Sequence, residues 1–325
     1  MIENFLNIKN STRNLTDEEF NKILPILATE LKDINYYTSY NEDKLKDDWN
    51  KLVLWESGES FLNSTSRIGM KLCEHFFPNF YEISTNKNLS FSKMWQDEEL
   101  LKKILIWNRK SHSTPYLSEL KRGIYFCGGI VKSTMYRPQM AKLITKDRKC
   151  VFDPCAGWGG RMLGSVANGC DYYAFEPNTK TYENLIQLSK FLNIESKVTI
   201  ICDDARNIKK YNFPIFDCIL TSPPYFDLEI YTDENTQSIF SITNYSQWVN
   251  SFLKVIIQDS IEMLSEDGIS CWNVAKIKDG DMWADVLDIH SKLGFNQVSE
   301  YSLVSSKRQT NGKGKTQDLT KCFMK

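Results

Sequence analysis

From about residue 149 onward, short apolar runs alternate with longer segments of helical spacing, and this alternation is the strongest constraint on the fold. The helical segments lie near residues 160–168, 179–192, 246–264 and 281–293. Strand–helix alternation at this spacing predicts an α/β fold with a doubly wound, mostly parallel sheet and helices on both faces. The apolar runs are Cys150–Asp153, Tyr172–Phe175, Val198–Cys202, Phe216–Leu220 and Ile269–Asn273.

The end of the chain follows a different pattern. Residues Gln297–Val304 and Asp318–Met324 read as two strands joined by a polar loop that contains glycine and lysine. Two neighbouring strands with a loop and no helix between them predict a hairpin. We therefore expect the last strand to run antiparallel to the rest of the sheet.

The first 120 residues read as helical and irregular. Thr16–Glu19 has the form of a capping box and precedes apolar residues at helical spacing, and Glu98–Trp107 reads as a further helix. No strong strand alternation is visible here, including in the mixed apolar stretch Phe61–Phe77. We expect a mainly helical N-terminal region over residues 1–120, which could cap the sheet, and a sheet-bearing domain over residues 121–325.

Composition limits the functional classes. The net charge of −1 gives no global signal for nucleic-acid binding, so any such face must be local. The nine cysteines form no C-x-x-C pair, and no metal cluster is visible, so we expect no zinc or other metal site. Free cysteines, no visible signal peptide and no apolar run of membrane-spanning length favour a cytoplasmic protein without a membrane partner.

A glycine-rich loop follows the first apolar run. It reads Asp153-Pro-Cys-Ala-Gly-Trp-Gly-Gly, which differs from the G-x-G-x-x-G spacing of dinucleotide binders. Its leading carboxylate suits a ligand that carries a positive ammonium or sulfonium group and would repel a pyrophosphate. Ligands of open α/β sheets bind at this carboxyl edge of the strands.

The next two runs also end in carboxylates. Glu176 is followed by Pro177, and an acidic side chain in this place can accept hydrogen bonds from both ribose hydroxyls. Asp203 and Asp204 precede Ala205 after the third run, where a carboxylate could accept a hydrogen bond from an adenine amino group.

The fourth run leads directly into Thr221-Ser-Pro-Pro-Tyr225. Two adjacent prolines fix two φ angles and remove two amide donors, which leaves nearby carbonyls as rigid acceptors. Such carbonyls and the Ser222 hydroxyl can accept hydrogen bonds from an exocyclic amino group. The Tyr225 ring offers a flat face for a base taken out of its stack.

At these residues the chain resembles the amino-methyltransferase branch of the S-adenosylmethionine-dependent DNA methyltransferases. Residues 153–159 resemble the first motif of that family, Glu176 the second, Asp204 the third, and Ser222–Tyr225 the catalytic (S/D/N)-P-P-(Y/F) motif. The resemblance covers roughly residues 130–325 and implies a Rossmann-like methyltransferase with S-adenosylmethionine as cofactor and DNA as partner, as in restriction–modification systems. A serine at the first catalytic position slightly favours cytosine N4 over adenine N6 as the target.

The resemblance assigns candidate roles residue by residue. The segment 133–138 would close over the methionine end of the cofactor. Recognition of the target would fall to residues 1–120 and to the active-site loops. The catalytic candidates are Ser222, Pro223, Pro224 and Tyr225. The cofactor-binding candidates are Asp153, Cys155, Ala156, Gly157, Gly159, Glu176, Pro177, Asp203, Asp204, Ala205, Arg137 and Pro138.

Alternatives to this interpretation stay open. The same chemistry on an RNA base is one, and an inactive nucleic-acid-binding protein on a methyltransferase scaffold is another. The Pro154-Cys155 pair has the form of a cytosine C5 nucleophile but follows the wrong strand, so we interpret Cys155 as a small loop residue. The oligomeric state cannot be inferred from the sequence.

Several further residues are candidates without an assigned role. The long polar connection 226–245 has the length of a lid or binding loop. His75, His112 and His290 are isolated in the sequence. The candidate phosphate contacts are Arg109, Lys110, Lys121, Arg122, Lys307, Arg308, Lys313 and Lys315.

Overall fold

The computed structural model describes residues 2–85, 88–111, 114–129, 133–304 and 316–325. Within them the chain divides into two compact units, of which the first comprises residues 1–38 and 78–134 and the second residues 39–77 and 135–325. This division differs from the expected boundary at residue 120. Residues 39–77 leave the helical region and join the sheet-bearing unit.

The first unit is helical. Its core packs side chains such as Phe20, Leu31 and Trp95, and the Trp95 indole donates to the Leu31 carbonyl at 3.0 Å. The predicted capping box at Thr16 and Glu19 is confirmed, with both reciprocal hydrogen bonds present. Its helices are α1 (Ile2–Asn7), α2 (Asp17–Lys32), α5 (Phe91–Trp95), α6 (Glu98–Lys110) and α7 (Leu117–Gly128), with a 3₁₀ turn over Pro78–Glu82.

The second unit contains an eight-stranded sheet. The strands are β1 (Phe61–Asn63), β2 (Cys150–Asp153), β3 (Asp171–Phe175), β4 (Val198–Ile201), β5 (Phe216–Thr221), β6 (Leu264–Asn273), β7 (Asn296–Val304) and β8 (Thr316–Met324). The helices are α3 (Glu42–Leu54), α4 (Met70–Phe76), α8 (Pro138–Ile144), α9 (Gly160–Ala167), α10 (Thr179–Leu192), α11 (Tyr245–Trp248), α12 (Lys254–Ile261) and α13 (Met282–Lys292). A π-helical turn over Val249–Leu253 joins α11 to α12, and 3₁₀ turns span Glu195–Lys197 and Ala205–Lys210.

The strand order is β4-β3-β2-β5-β6-β8-β7-β1. Strands β2 to β6 pair in parallel, and β8 is antiparallel to both β6 and β7. The expected doubly wound α/β sheet with a C-terminal antiparallel hairpin is therefore confirmed, and the fold is Rossmann-like.

The structure differs from the sequence expectations at two strands. The N-terminal third contributes β1, which pairs in parallel with β7 at the sheet edge. A three-residue strand is too short to show alternation, and its partner strand, not its own pattern, defines it. Strand β6 begins at Leu264, where a helix was expected to end, because the helix already stops at Ile261.

The side chains of successive residues in the central strands point to opposite faces of the sheet. Val151 packs into one core cluster, whereas Phe152 packs into the other, where its ring stacks on Phe216 with centroids 4.8 Å apart. Such a sheet buries both faces and exposes only its strand ends. Because open α/β sheets bind ligands beyond the carboxyl ends of their strands, we expect a binding site at that edge.

Candidate active site

The strand order reverses between β2 and β5, because β2 continues to β3 and β4 on one side and β5 continues to β6 on the other. Open α/β sheets bind their ligands in the crevice at such a switch point. The glycine-rich loop follows β2 and the Ser-Pro-Pro-Tyr loop follows β5. The Thr221 hydroxyl donates to Asp153 at 2.7 Å, so the two loops begin side by side.

The backbone of the first loop requires glycine at defined points. Gly157 and Gly159 have φ angles of 59° and 74°, in the left-handed region that side chains disfavour. Gly160 begins α9 so close to the preceding segment that a Cβ would lie 2.0 Å from the Tyr136 carbonyl oxygen. The loop therefore folds back tightly against the residues before β2.

Asp153 is fully buried and accepts hydrogen bonds from four donors of the protein. One carboxylate oxygen accepts from Thr221 and from the Cys155 amide, and the other accepts from Arg161 at 2.6 Å and Tyr172 at 2.7 Å. The observed role of Asp153 is to anchor the loop, and the expected contact with a cationic ligand stays a prediction.

Arg161, at the start of α9, is the buried partner that sequence reasoning missed. Its guanidinium is 5% exposed, pairs with Asp153, and also donates to the carbonyls of Cys155 and Ala156. Burial lowers the pKa of Arg161, but Asp153, Tyr172 and Tyr136 together outweigh burial and raise it. The ion pair thus holds the carbonyls of both candidate residues in the loop.

Glu176 lies just after β3 and is buried beside the same loop. Its carboxylate accepts from the amides of Gly157 and Asn178, both at 2.9 Å. Burial raises the pKa of Glu176 to about 7, although the two amide donors oppose the rise. Each oxygen has a remaining lone pair, which leaves the side chain able to accept from a hydroxyl pair.

The carboxylates after β4 are engaged locally. Asp204 is nearly buried, caps the 3₁₀ turn and pairs with Arg206. Asp203 accepts from Asn207 and Tyr211, both at 2.8 Å. Burial raises the pKa of Asp203, but these hydrogen bonds, the Asp204 amide and Lys210 together lower it. Their contact with an adenine, like that of buried Ala205, stays a prediction.

The Ser222-Pro-Pro-Tyr225 loop is held by Asn273, the last residue of β6. The Asn273 amide oxygen accepts from the Ser222 hydroxyl at 3.2 Å and from the Tyr225 hydroxyl at 3.1 Å. Its amide nitrogen donates to Asp318 at 2.6 Å and to the Leu319 carbonyl at 2.8 Å. Those acceptors fix the orientation of the amide.

This arrangement sets the direction of the Ser222 hydroxyl. An amide oxygen has only lone pairs, so both hydroxyls must donate to it. The Ser222 oxygen therefore keeps its own lone pairs for another donor. Asn273 carries no sequence signal of its own, since its role depends on the pairing of β6 with β8.

Helix α8 begins with Pro138 at its first position, directly after the segment 133–137, and the closure of that segment over a cofactor stays a prediction. Arg137, the preceding residue, donates to the Ser64 carbonyl at 3.3 Å, and burial lowers its pKa. Its Nη1 is buried without a hydrogen-bond partner among the described residues. A buried guanidinium N–H in this state is a ready donor for an anionic ligand group.

Cys155 has a thiol whose pKa burial raises well above its ordinary value, with Asp153 adding to the rise. A thiol held in its neutral form is a poor nucleophile. This favours the interpretation of Cys155 as a loop residue rather than a covalent catalyst.

The connection between β5 and α11 lies against the start of α10. Asn178 donates to the Tyr231 carbonyl at 3.2 Å, Thr179 donates to Glu234 at 3.0 Å, and Thr236 donates to the Pro177 carbonyl at 3.2 Å. The Tyr231 ring also approaches the Trp158 ring, with centroids 6.2 Å apart. The connection therefore contacts the loops after β2 and β3, and its action as a lid stays a prediction.

Some of the candidate phosphate contacts make internal contacts, and others lie outside the residues that the structure describes. Arg109 is used internally, since it donates to the Leu15 carbonyl and to Asp17 and lies over the Phe20 ring. Lys121 donates to the Tyr81 hydroxyl at 2.8 Å. His112, Lys307, Arg308, Lys313 and Lys315 lie outside the described residues.

His75 accepts from the Tyr40 amide, and His290 is buried between Ser270 and the Val286 carbonyl. Among the described residues, no group of three or more histidine, cysteine, aspartate or glutamate side chains is placed to hold a metal ion. In the same residues, no helix has the length and apolar character needed to cross a membrane.

No protein-family model and no curated protein matches the chain. Solved structures do match. Precorrin 8W decarboxylase of Methanobacterium thermoautotrophicum is 13% identical, with a TM-score of 0.41, over 61% of this chain and 94% of that one. A SAM-dependent methyltransferase of Agrobacterium tumefaciens is 16% identical, with a TM-score of 0.41, over 57% of this chain and 60% of that one.

An rRNA methylase of Streptococcus thermophilus is 15% identical, with a TM-score of 0.38, over 59% of this chain and 99% of that one. Similarities of this size carry no argument about activity. The fold assignment therefore rests on the strand order and the sheet pairing described above.

Proposed function

We propose that this chain is an S-adenosylmethionine-dependent methyltransferase that modifies the exocyclic amino group of a DNA base, with cytosine N4 slightly favoured over adenine N6. The observation that carries the proposal is the Ser222 hydroxyl, which donates to Asn273 at 3.2 Å beside the switch point of the sheet. Its oxygen is left as an acceptor, which is what an amino group needs.

The residues at the carboxyl edge fit the cofactor. Arg137 offers an unpartnered buried N–H to the carboxylate of the methionine end. Glu176 retains lone pairs for the ribose hydroxyls next to the Gly157 amide, and the carboxylates after β4 lie at the end of the next strand. When bound, S-adenosylmethionine supplies a methyl group on a positively charged sulfur.

The protein's part in the reaction is to hold and polarise the amine. The amino group would donate one hydrogen to Ser222 and another to a carbonyl of the proline pair, which increases the electron density on its nitrogen. Tyr225 donates to Asn273 and presents its ring to the base. Positioning and electrostatics of this kind require no covalent enzyme intermediate.

DNA is preferred over RNA on the resemblance of the catalytic tetrapeptide alone. RNA is the alternative substrate, and an inactive nucleic-acid-binding protein is the alternative class. The intact acceptor geometry at Ser222 speaks against inactivity, because a scaffold without chemistry has no need to orient that hydroxyl.

Labelled S-adenosylmethionine and separate pools of DNA and RNA test the proposal. After digestion to nucleosides, label in N4-methyldeoxycytidine would support the full proposal, and label in N6-methyldeoxyadenosine would change only the base. Label confined to RNA would overturn the choice of DNA. Binding of the cofactor without transfer to either pool would favour the inactive class.

The Tyr225→Ala variant separates cofactor binding from turnover. We expect it to bind S-adenosylmethionine as the parent does and to lose transfer, since the ring contacts the base rather than the cofactor. Ser246→Ala, an exposed residue on α11, is the control that should retain both. Loss of cofactor binding in Tyr225→Ala would contradict this assignment.

A further inference from the structure

Helices α6 and α7 of the first unit carry two stacked rings, the exposed Phe126 and the half-buried Trp107. Trp107 and Phe126 have ring centroids 5.8 Å apart and planes inclined by 25°. Phe126 is 68% exposed, which is unusual for a large apolar side chain. Solvated rings stacked in this way offer a flat apolar face.

A guanidinium group accompanies the two rings. Arg122 lies 5.7 Å from the Trp107 centroid and 5.9 Å from the Phe126 centroid, within the range of cation–π attraction. It pairs with Glu119 at 2.9 Å, and its side chain is 53% exposed. The result is a planar cation at the edge of an aromatic face.

A glycine allows the two helices to approach closely enough for this stacking. A Cβ at Gly123 would lie 2.6 Å from the Ile104 side chain and 3.4 Å from the Trp107 ring. The close approach of the helix backbones therefore fixes the position of the rings. A surface ordered in advance loses less entropy when it binds a ligand.

Lysines flank the rings. Lys103 and Lys110 lie four residues before and three residues after Trp107, so helix geometry places them on its face, and both are exposed. Glu99, one turn before Lys103, is paired with Lys102 at 2.8 Å. This face is locally basic in a chain whose net charge is −1.

We propose that Trp107, Phe126 and Arg122, flanked by Lys103 and Lys110, form a stacking surface that binds unpaired bases of a single-stranded or locally opened nucleic acid. Successive bases stack on the rings and the cations contact phosphates. The charge pattern favours a polyanion, and the flat rings favour one that carries bases. The inference rests on the proposed function, because the nucleic acid bound would be the substrate.

Fluorescence anisotropy of the full chain with a labelled, mixed-sequence oligodeoxynucleotide of about 16 nucleotides tests this proposal. Phe126→Ala should weaken binding by about 5- to 100-fold, whereas Phe126→Trp should retain it. Lys110→Ala should lower the slope of log affinity against log salt by about one. Ile26→Ala and Arg13→Ala, at exposed positions in the same unit, are the matched controls.

Two results would overturn the stacking surface. One is equal binding by the Phe126→Ala and Ile26→Ala variants. The other is competition by an acidic polypeptide as effective as that by unlabelled oligonucleotide, which would identify a protein partner. Circular dichroism of each variant checks that the helices persist, and the retained affinity of Phe126→Trp separates stacking from a structural role.

Binding is measured without S-adenosylmethionine, so its outcome is independent of turnover. A defect at Phe126 in a protein that transfers no methyl group would leave the stacking surface standing and refute the proposed function. Methyl transfer to DNA together with unchanged binding by Phe126→Ala would support the proposed function and refute the stacking surface.

Discussion

The loop after β2 is held by a buried ion pair, whereas the loop after β5 is held by an uncharged amide. Asp153 and Arg161 neutralise each other in the interior, and Tyr172 and Thr221 complete the hydrogen bonds of the carboxylate. At the second loop, Asn273 joins two hydroxyls to the neighbouring strand. Removing one partner of a buried ion pair costs much more than removing a neutral hydrogen bond.

The comparison separates stability from chemistry. A change of charge in the first loop would disturb the core, because the Asp153–Arg161 pair that anchors this loop is buried there. The second loop can lose a hydroxyl while the sheet beneath it persists. Substitutions in the first loop should therefore appear mainly in unfolding experiments, and substitutions in the second mainly in turnover.

The largest expected effect is that of Asp153→Asn, which leaves Arg161 buried without a counter-charge. We expect the free energy of unfolding to fall by about 3–5 kcal/mol, as measured by urea denaturation. Asp171→Asn, which breaks the half-exposed pair with Lys197, should cost less than about 1 kcal/mol. Equal costs for the two variants would show that the buried pair does not anchor the loop.

The next effect is the pH dependence contributed by Glu176. Because its pKa in the folded state, about 7, lies above the unfolded value of 4.5, the folded state binds the proton more tightly. Stability from this group is therefore present below pH 4.5 and is lost as pH rises to about 7, by on the order of 3 kcal/mol.

Glu176→Gln should remove that pH dependence, and Glu195→Gln, at an exposed site in the same unit, should preserve it. Denaturation at a series of pH values measures both. A Glu176→Gln variant that still loses stability over this window would assign the effect to another group.

Ser222→Ala tests the chemistry of the second loop. It removes the acceptor proposed for the amino group, so turnover should fall by about 10²-fold while the affinity for S-adenosylmethionine and the stability remain close to those of the parent. Radiolabel transfer gives turnover, titration calorimetry gives the affinity, and urea denaturation gives the stability. A fall in cofactor affinity equal to the fall in turnover would place Ser222 in the cofactor site instead.

Asn273→Ala should combine a moderate loss of stability with a loss of turnover. It leaves the half-buried acceptors Asp318 and Leu319 of β8 without their donor, and we expect a cost of about 1–3 kcal/mol together with lower turnover. Asn250→Ala, at an exposed helix position, should change neither. Full turnover in Asn273→Ala would show that the loop holds its geometry without the amide.

The sequence predicts those parts of the site that local backbone chemistry dictates. Gly157 and Gly159 are visible because only glycine readily adopts positive φ, and the proline pair is visible because it stiffens any loop. The acidic residues that follow the strands can be recognised because each stands directly after an apolar run in the sequence. The alternation of apolar runs likewise predicts the central parallel strands and the terminal hairpin.

Partners that are set by tertiary packing were not predictable from these patterns. Arg161 is an ordinary residue at a helix start until the burial of Asp153 is known, and Asn273 lies 51 residues from Ser222. The division into units was missed for a similar reason, because residues 39–77 join the sheet through tertiary pairing and show no strand alternation of their own.

The pairing of β1 with β7 has a consequence for biosynthesis. Phe61 pairs with Ser302, so the ribosome makes one strand about 240 residues before its partner, a delay of roughly 12 to 50 seconds at 5–20 residues per second. During that interval Leu62, buried in the finished protein, has no strand to cover it. The strand that is translated first therefore waits for the seventh strand before it can pair.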